Sequence, residues 1–394
     1  MTTEANNHKS TEMKAIKGKQ EKTICVHEGE VTDTQFKGAV SPLFLSTSYP
    51  YEDVDEKRYP RYLNSPNPQN LARKVAALEN AEDALMLSSG MAAISNTILT
   101  IMKPGEHIVL QNQLYGGTAH FITEELKALN IAFDFTDGLD VTDLERLIRP
   151  DTKAIYIETP SNPLLQIVDI AGVATFAQNN GLTSIIDNTF ATPINQKPID
   201  LGIDIVLHSA TKYFGGHSDI TAGAVAGKAA TIERISNKAI NLGGNLADFT
   251  AWLLERSMKT LSLRVHQQKQ NAQQVADFLE GHQKIEKVNY PGLVSHPQHK
   301  LAKRQMKGFG GMMSFELKKD VNVQDFLSKL NLIKDSMSLA GVESTILLPS
   351  KTSHSLLTTE ERQAQGISER LLRFSCGIED ADDLIEELEN ALHT

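Results

Sequence analysis

Cysteine is nearly absent: the 394 residues hold two, Cys25 and Cys376, far apart in the chain. That excludes a disulfide framework and leaves too few soft ligands for a structural zinc site. The best histidine pair, His296 and His299, lies in a loop-like stretch, and no metal is expected. No apolar run approaches the roughly 18 residues of a membrane span. The first residues also lack the apolar core of a secretory signal. A reducing, cytoplasmic setting is the expectation. Two glycine fingerprints are missing, G-x-G-x-x-G and G-x-x-x-x-G-K, which argues against a nicotinamide dehydrogenase and against a P-loop. Positive charge is also short. Lys plus Arg total 39 against 49 Asp plus Glu, a net charge of −10. A nucleic-acid polymer is therefore not an expected partner.

What remains is an ordinary globular composition, 40% hydrophobic and 22% charged. At about 150 residues per domain, the length fits two or three domains. Residues 1–22 are polar and read as a disordered tail. Residues 23–67 carry Pro42, Pro50, Pro60 and Pro66, with Pro68 just beyond, and read as an extended arm. Such an arm suits the surface of a neighbouring subunit, although a flexible tail has the same composition. From Gln69 the spacing of Leu71, Val75 and Leu78 gives a helical stripe. Apolar runs at 84–87, 107–111, 131–135, 153–158, 183–187, 203–208 and 222–226 read as strands. Helices are expected near 91–102, 118–129, 142–149 and 170–180. Thr142 and Glu145 have the spacing of a capping box. Continuous apolar strands alternating with helices give an α/β fold, a mainly parallel sheet sandwiched by helices. Residues 246–281 read as long charged helices. Strands near 284–289, 312–317 and 370–375 and a last helix at 381–392 follow, making a smaller α+β C-terminal domain. The expected division is 68–255 and 256–394.

Three short stretches carry chemistry. The strand ending at His208 runs into Ser209, Thr211 and Lys212, then a glycine-rich turn. In a parallel sheet, ligands sit beyond the carboxyl ends of strands. Asp187 ends another apolar strand, where a carboxylate is costly unless paired. Ser88, Ser89, Gly90 and Met91 open a helix, whose free N–H groups favour an anion. Taken singly, each has a plainer reading: a surface lysine, a turn aspartate, an ordinary helix start. Together they suit pyridoxal 5′-phosphate, with an amine for the imine, a carboxylate for the ring nitrogen and a phosphate anchor. Tyr115 could stack on the ring.

The stretches SATKYFGGHSD (209–219), DNTFATP (187–193), SSGMAA (88–93), LYGGT (114–118) and ETPSNP (158–163) resemble the Cys/Met-metabolism family of PLP-dependent enzymes. The resemblance spans roughly residues 24–392, with the motifs in order. It implies PLP-dependent transferase fold type I, the aminotransferase-like architecture, and a homotetramer of tight dimers. By motif, Lys212 resembles the Schiff-base lysine and proton shuttle. Asp187 matches the partner of the ring nitrogen, with Thr189 beside it. Ser89, Gly90, Met91, Ser209 and Thr211 match the phosphate cup. Tyr115 matches the stacking tyrosine and an acid/base, and Asn162 an asparagine near the 3′-oxygen. Tyr59 and Arg61 match a pair that reaches the neighbour's phosphate. Arg373 matches the clamp for the substrate α-carboxylate, a bidentate fork. Ser338 matches a serine near that clamp and Lys212.

The resemblance implies chemistry at the Cγ–S bond of sulfur amino acids, as in cystathionine γ-lyase or cystathionine γ-synthase. Methionine γ-lyase, O-acylhomoserine sulfhydrylase and cystathionine β-lyase activities are the alternatives, and a catalytically silent relative is the remote one. Expected substrates are cystathionine, homoserine esters, cysteine and methionine. Gly117 stands where methionine γ-lyases have Cys. Leu339 and Ala340 follow Ser338 where some β-lyases carry Trp–Gly. Glu343 resembles an acid near the distal amino group. Arg58 stands where γ-lyases commonly have Glu, which favours a distal carboxylate or an acyl leaving group. Pro60 and Ala340 also depart from the family pattern.

Overall fold

The computed structural model describes residues 18–136, 141–352, 355 and 358–393. Among them, seven strands form the larger sheet: β1 (Asp83–Leu87), β2 (His107–Gln111), β3 (Ala132–Thr136), β4 (Thr152–Glu158), β5 (Thr183–Asp187), β6 (Ile205–His208) and β7 (Gly223–Gly227). Their order is β1-β7-β6-β5-β4-β2-β3. Neighbours from β6 through β3 run parallel. β7 alone is reversed, antiparallel to both β6 and β1. The carboxyl ends of β1, β2, β4, β5 and β6 therefore share one edge. β2 and β7 are buried along their whole length, which is why they read as unbroken apolar runs.

Helices cover both faces. α1 (Glu21–His27) and α2 (Pro66–Glu79) lie on one, and Leu71, Val75 and Leu78 of α2 are fully buried there with Ala84, Met86 and Ala224. α3 (Gly90–Ile101) packs on the other, over β6 and β7, with Ile94 and Ile98 against Ile205 and Leu207.

A second sheet has its own core. β8 (Ile285–Asn289), β9 (Met312–Leu317), β10 (Lys334–Asp335), β11 (Thr345–Leu347) and β12 (Leu371–Ser375) lie in the order β10-β11-β12-β9-β8. The helix Ala381–Leu392 lays Leu384, Leu388 and Leu392 on it. The helix Leu261–Gly281 joins the two cores. Leu261 and Val265 belong to the first, and Ala272, Val275, Ala276 and Leu279 to the second.

Several local expectations change. Residues 21–27 are helical, not tail and arm, because Ile24 and Cys25 find a buried seat on α2. Pro66 and Pro68 open α2 and are not part of the arm. A proline in the first turn removes only an N–H that has no intrahelical partner. The helix expected at 142–149 is Val141–Glu145, so Thr142 lies inside it and does not cap it. The helix expected at 118–129 is present over 116–128, and only its winding differs, with a wider π-helical stretch at Phe121–Leu126. The 246–281 stretch is two helices, Asp248–Met258 and Leu261–Gly281. Glu28–Tyr59 has neither helix nor strand and exposes Phe36, Leu45 and Tyr51. Among the described residues no helix is long and apolar enough to cross a membrane, and no His/Cys/Asp/Glu group could hold a metal.

Candidate active site

The shared edge of the large sheet gathers most of the chemical residues. Ser89 caps α3, its hydroxyl accepting from Ala92 N at 3.0 Å. Gly90 follows, half-buried, and a Cβ there would lie 2.9 Å from the Ser209 Cβ. Only glycine lets the start of α3 approach the end of β6 this closely. Met91 continues the first turn. Ser209 N donates to Thr189 Oγ1 at 2.8 Å, joining the ends of β5 and β6. Thr211 is placed differently from the others. Its hydroxyl donates to Ala222 O at 3.1 Å and accepts from Ala222 N at 3.0 Å, so it fastens the entry to β7.

Asp187 ends β5 in a buried position and accepts from Thr189 N at 2.9 Å. Burial lifts its carboxyl above the ordinary range, while Thr189 and the His208 ring pull it back. Lys212 sits one turn beyond β6, half-buried. Its Nζ donates to Ser338 Oγ at 2.9 Å. Burial and then the Arg373 cation bring its amine down to about 8. Arg373, on β12, is buried. It donates to Ser338 O at 2.9 Å and to Asn162 Oδ1 at 3.2 Å. Ser338 therefore meets the amine through its hydroxyl and the guanidinium through its carbonyl. It does so from a left-handed backbone, φ 89°.

Tyr115 lies at the mouth. Its main-chain N donates to Glu158 Oε2 at 2.8 Å, and the residue as a whole is 47% exposed. A Cβ at Gly117 would lie 2.6 Å from Tyr115 Cε1. The arm residues stand apart from this group within one chain. Arg61 donates to Ile240 O at 3.1 Å and lies over the rings of Tyr59 and Tyr62. Arg58 is engaged locally, with Asn64 O, the Gln69 side chain at 2.8 Å and Glu56 at 2.7 Å. Glu343 pairs loosely with Lys334 at 3.7 Å.

Three groups escaped the sequence reading. Glu158 ends β4 as Asp187 ends β5, and the same signal, a carboxylate closing an apolar strand, was present in ETPSNP. His208 Nε2 and Glu79 Oε1 pair at 2.5 Å in the interior. Arg264 donates to the carbonyls of Tyr213 at 2.8 Å and Phe214 at 3.3 Å, bracing the turn after Lys212. Nothing local in the sequence marks the last two.

The residues present fit pyridoxal 5′-phosphate. The start of the twelve-residue α3 meets the strand-end Ser209, the depressed Lys212 amine follows three residues on, and the buried Asp187 is tied to Ser209 through Thr189. Arg373 is a buried cation with no carboxylate in ion-pair range among the described residues, which suits an incoming carboxylate.

The comparisons agree with this reading. A family model described as Cys/Met metabolism PLP-dependent enzyme matches residues 22–393. A cystathionine gamma-lyase of Bacillus subtilis (strain 168) is 42% identical over 377 residues, 95% of this chain and 99% of that protein. A cystathionine gamma-synthase/O-acetylhomoserine (thiol)-lyase of the same strain is 43% identical, covering 90% and 92%. The crystal structure of cystathionine gamma-lyase from Lactobacillus plantarum complexed with L-serine superposes with a TM-score of 0.91 at 38% identity, covering 95% and 98%. Fold, motifs and full-length similarity thus converge: the chain belongs to the Cys/Met-metabolism family of PLP-dependent enzymes.

Proposed function

We propose that this enzyme breaks the Cγ–S bond of a sulfur amino acid, with cystathionine as the substrate of its γ-lyase reaction. The observation that carries the reading is the meeting at Ser338 of a base and a carboxylate clamp, Lys212 and Arg373. When bound, pyridoxal 5′-phosphate supplies an electron sink for charge developing at the substrate α-carbon. Ser89, Gly90, Met91 and Ser209 would hold its phosphate, and Asp187, fixed by Thr189, would hold its ring nitrogen. Thr211 shapes the same wall through Ala222.

Arg373 grips the α-carboxylate as a fork, and Asn162 Oδ1, accepting from one arm of the guanidinium, orients it. Lys212 Nζ, neutral above about 8, leaves Ser338 Oγ and accepts the α proton. Having released it, the same amine takes a β proton, and the γ-sulfur can depart. Tyr115 stands at the mouth to protonate that sulfur. Glu343 faces the distal amino group. Gly117, Leu339 and Ala340 leave out the Cys and Trp of the methionine γ-lyase and β-lyase patterns, which supports the γ-reading for cystathionine.

The finer organisation follows the same reading. The arm, residues 28–65 once its two helical ends are set aside, carries Tyr59 and Arg61 to the phosphate of a neighbouring subunit, and its exposed Phe36, Leu45 and Tyr51 support this. Residues 68–255 form the cofactor domain and 256–394 the C-terminal domain, in a cytoplasmic homotetramer of tight dimers. Arg58 would meet a distal carboxylate or acyl group by leaving its pair with Glu56.

Supplying cystathionine and separating the products tests the reaction. Cysteine and 2-oxobutyrate are expected, and pyruvate as the sole keto acid would overturn the γ-lyase reading. A second arm, an O-acylhomoserine with cysteine, reads the γ-synthase outcome. If cystathionine accumulates there and is not cleaved in the first arm, the enzyme is the synthase.

A further inference from the structure

Part of the buried face of the helix Leu261–Gly281, which joins the two cores, is polar. Arg264, Gln268 and Asn271 stand four and three residues apart and form one stripe. None is more than 4% exposed. A helix stripe buried this deeply ordinarily carries apolar residues. Here all three side chains donate to main-chain carbonyls. Arg264 donates to Tyr213 O at 2.8 Å and to Phe214 O at 3.3 Å. Gln268 Nε2 donates to Gly341 O at 2.8 Å and reaches Ala340 O at 3.4 Å. Asn271 Nδ2 donates to Glu379 O at 2.7 Å and to Gly377 O at 3.1 Å.

Each donor meets a different loop, and each loop follows a site residue. Tyr213 and Phe214 come directly after Lys212. Ala340 and Gly341 come just after Ser338. Gly377 and Glu379 come after Arg373, where the chain leaves β12. The order along the helix repeats the order of contacts in the site, where Ser338 meets Lys212 through its hydroxyl and Arg373 through its carbonyl. The middle loop has most need of an anchor. Ser338 and Ala340 both hold left-handed backbones, at φ 89° and 65°. Residues other than glycine stay there only when their surroundings fix them. Gln268 does so through the carbonyls, and Ser375 Oγ accepts from Ala340 N at 2.8 Å. A Cβ at Gly216 would collide with the Arg264 guanidinium, so the turn after Lys212 lies flush against the same helix.

We propose that Arg264, Gln268 and Asn271 are positioning residues, a polar spine that sets the spacing of Lys212, Ser338 and Arg373 by holding the backbone of the loop behind each. Because the helix belongs to both cores, the spine fixes that spacing between the two sheets. Its effects are graded along its length. Loosening the turn after Lys212 disturbs proton transfer, and loosening the exit of β12 disturbs carboxylate binding. Loosening the middle loop disturbs both. The inference rests on the reading of Lys212 as the base and Arg373 as the carboxylate clamp.

The test pairs amide hydrogen exchange of the holoenzyme, read by mass spectrometry, with steady-state kinetics on cystathionine. Gln268→Met keeps the volume and removes the donor. It should raise exchange by about tenfold at residues 339–342 and leave 213–216 as in the parent. It should lower kcat and raise KM together, each by about threefold to tenfold. Arg264→Met should loosen 213–216 and lower kcat by about tenfold, with KM within about twofold. Arg264→Lys, which restores one donor, should recover most of that kcat. Asn271→Leu should loosen 376–379 and raise KM by about tenfold, with kcat within about twofold. Gln268→Met and Asn271→Leu remove no charge and keep the test open if Arg264→Met does not fold. Unchanged exchange in the matched loops of variants folded by circular dichroism would overturn the inference. So would a uniform rise along the chain, or matched loosening without the shift from kcat to KM. If the parent leaves cystathionine intact, the γ-lyase reading fails, and the spine is judged on exchange alone.

Discussion

Among the described residues, two lysines have amines that burial brings down to about 8, Lys74 and Lys212. Lys74 is wholly buried on α2 and donates to Cys25 O at 2.6 Å, pinning α1 to the body. The Glu255 charge favours its ionised form. Lys212 is half-buried, holds one neutral hydroxyl at 2.9 Å, and faces a cation, Arg373, that works against its charge. The depressed amine is thus shared, and the surroundings differ. Lys74 is enclosed and satisfied by a carbonyl it cannot leave without exposing a gap. Lys212 has one exchangeable partner and keeps part of its surface open to solvent. A low amine alone does not make a lysine chemical; an exit for its proton and a place for substrate do.

The largest effect expected from that contrast is on turnover. Lys212→Ala should lower kcat by about a thousandfold or more, with a thermal midpoint close to the parent's. Lys74→Met should do the reverse. It keeps kcat and leaves the Cys25 carbonyl buried without a donor, which costs about 1–3 kcal/mol in urea unfolding. If both variants lose activity alike, the contrast fails. Next in size, Arg373→Gln should raise KM for cystathionine by about 10–100-fold, more than it changes kcat.

The pH dependence sharpens the comparison further. Both folded amines sit below the ordinary lysine value of 10.5. Below about 8 both folded and unfolded states carry the charge, and its burial is fully penalised. Between about 8 and 10.5 the unfolded chain holds protons that the native one has released, so stability rises with pH. Each amine contributes up to about 1.4 kcal/mol per pH unit in that window. Urea melts at pH 8 and 10 should show a smaller rise in Lys74→Met than in the parent. The smallest effect concerns the mouth of the site. Gly117→Ala places a Cβ against the Tyr115 ring and should lower kcat/KM by about tenfold, without moving the thermal midpoint.

Much of this was legible in the chain. The buried strands read as continuous apolar runs because the sheet hides both faces. Lys212, Asp187 and Ser89 stand out because a polar residue ends each run. β10 and β11 were not legible, since strands of two and three residues carry no period. Nor was α1, whose helix depends on a seat supplied by α2, some forty residues later. The His208 and Glu79 pair spans 129 positions, and only folding shows that these residues meet. Glu158 was visible in principle, as a second carboxylate ending a strand, but only the register shows that it lies beside Asp187.

The central claim is that Lys212, and not the equally depressed Lys74, carries the chemistry. Borohydride reduction of the holoenzyme, followed by digestion and mass spectrometry, fixes the cofactor on the lysine that bears it. The account predicts the phosphopyridoxyl mass on the peptide containing Lys212 and none on the peptide containing Lys74. A label on Lys74, or on neither, would contradict it.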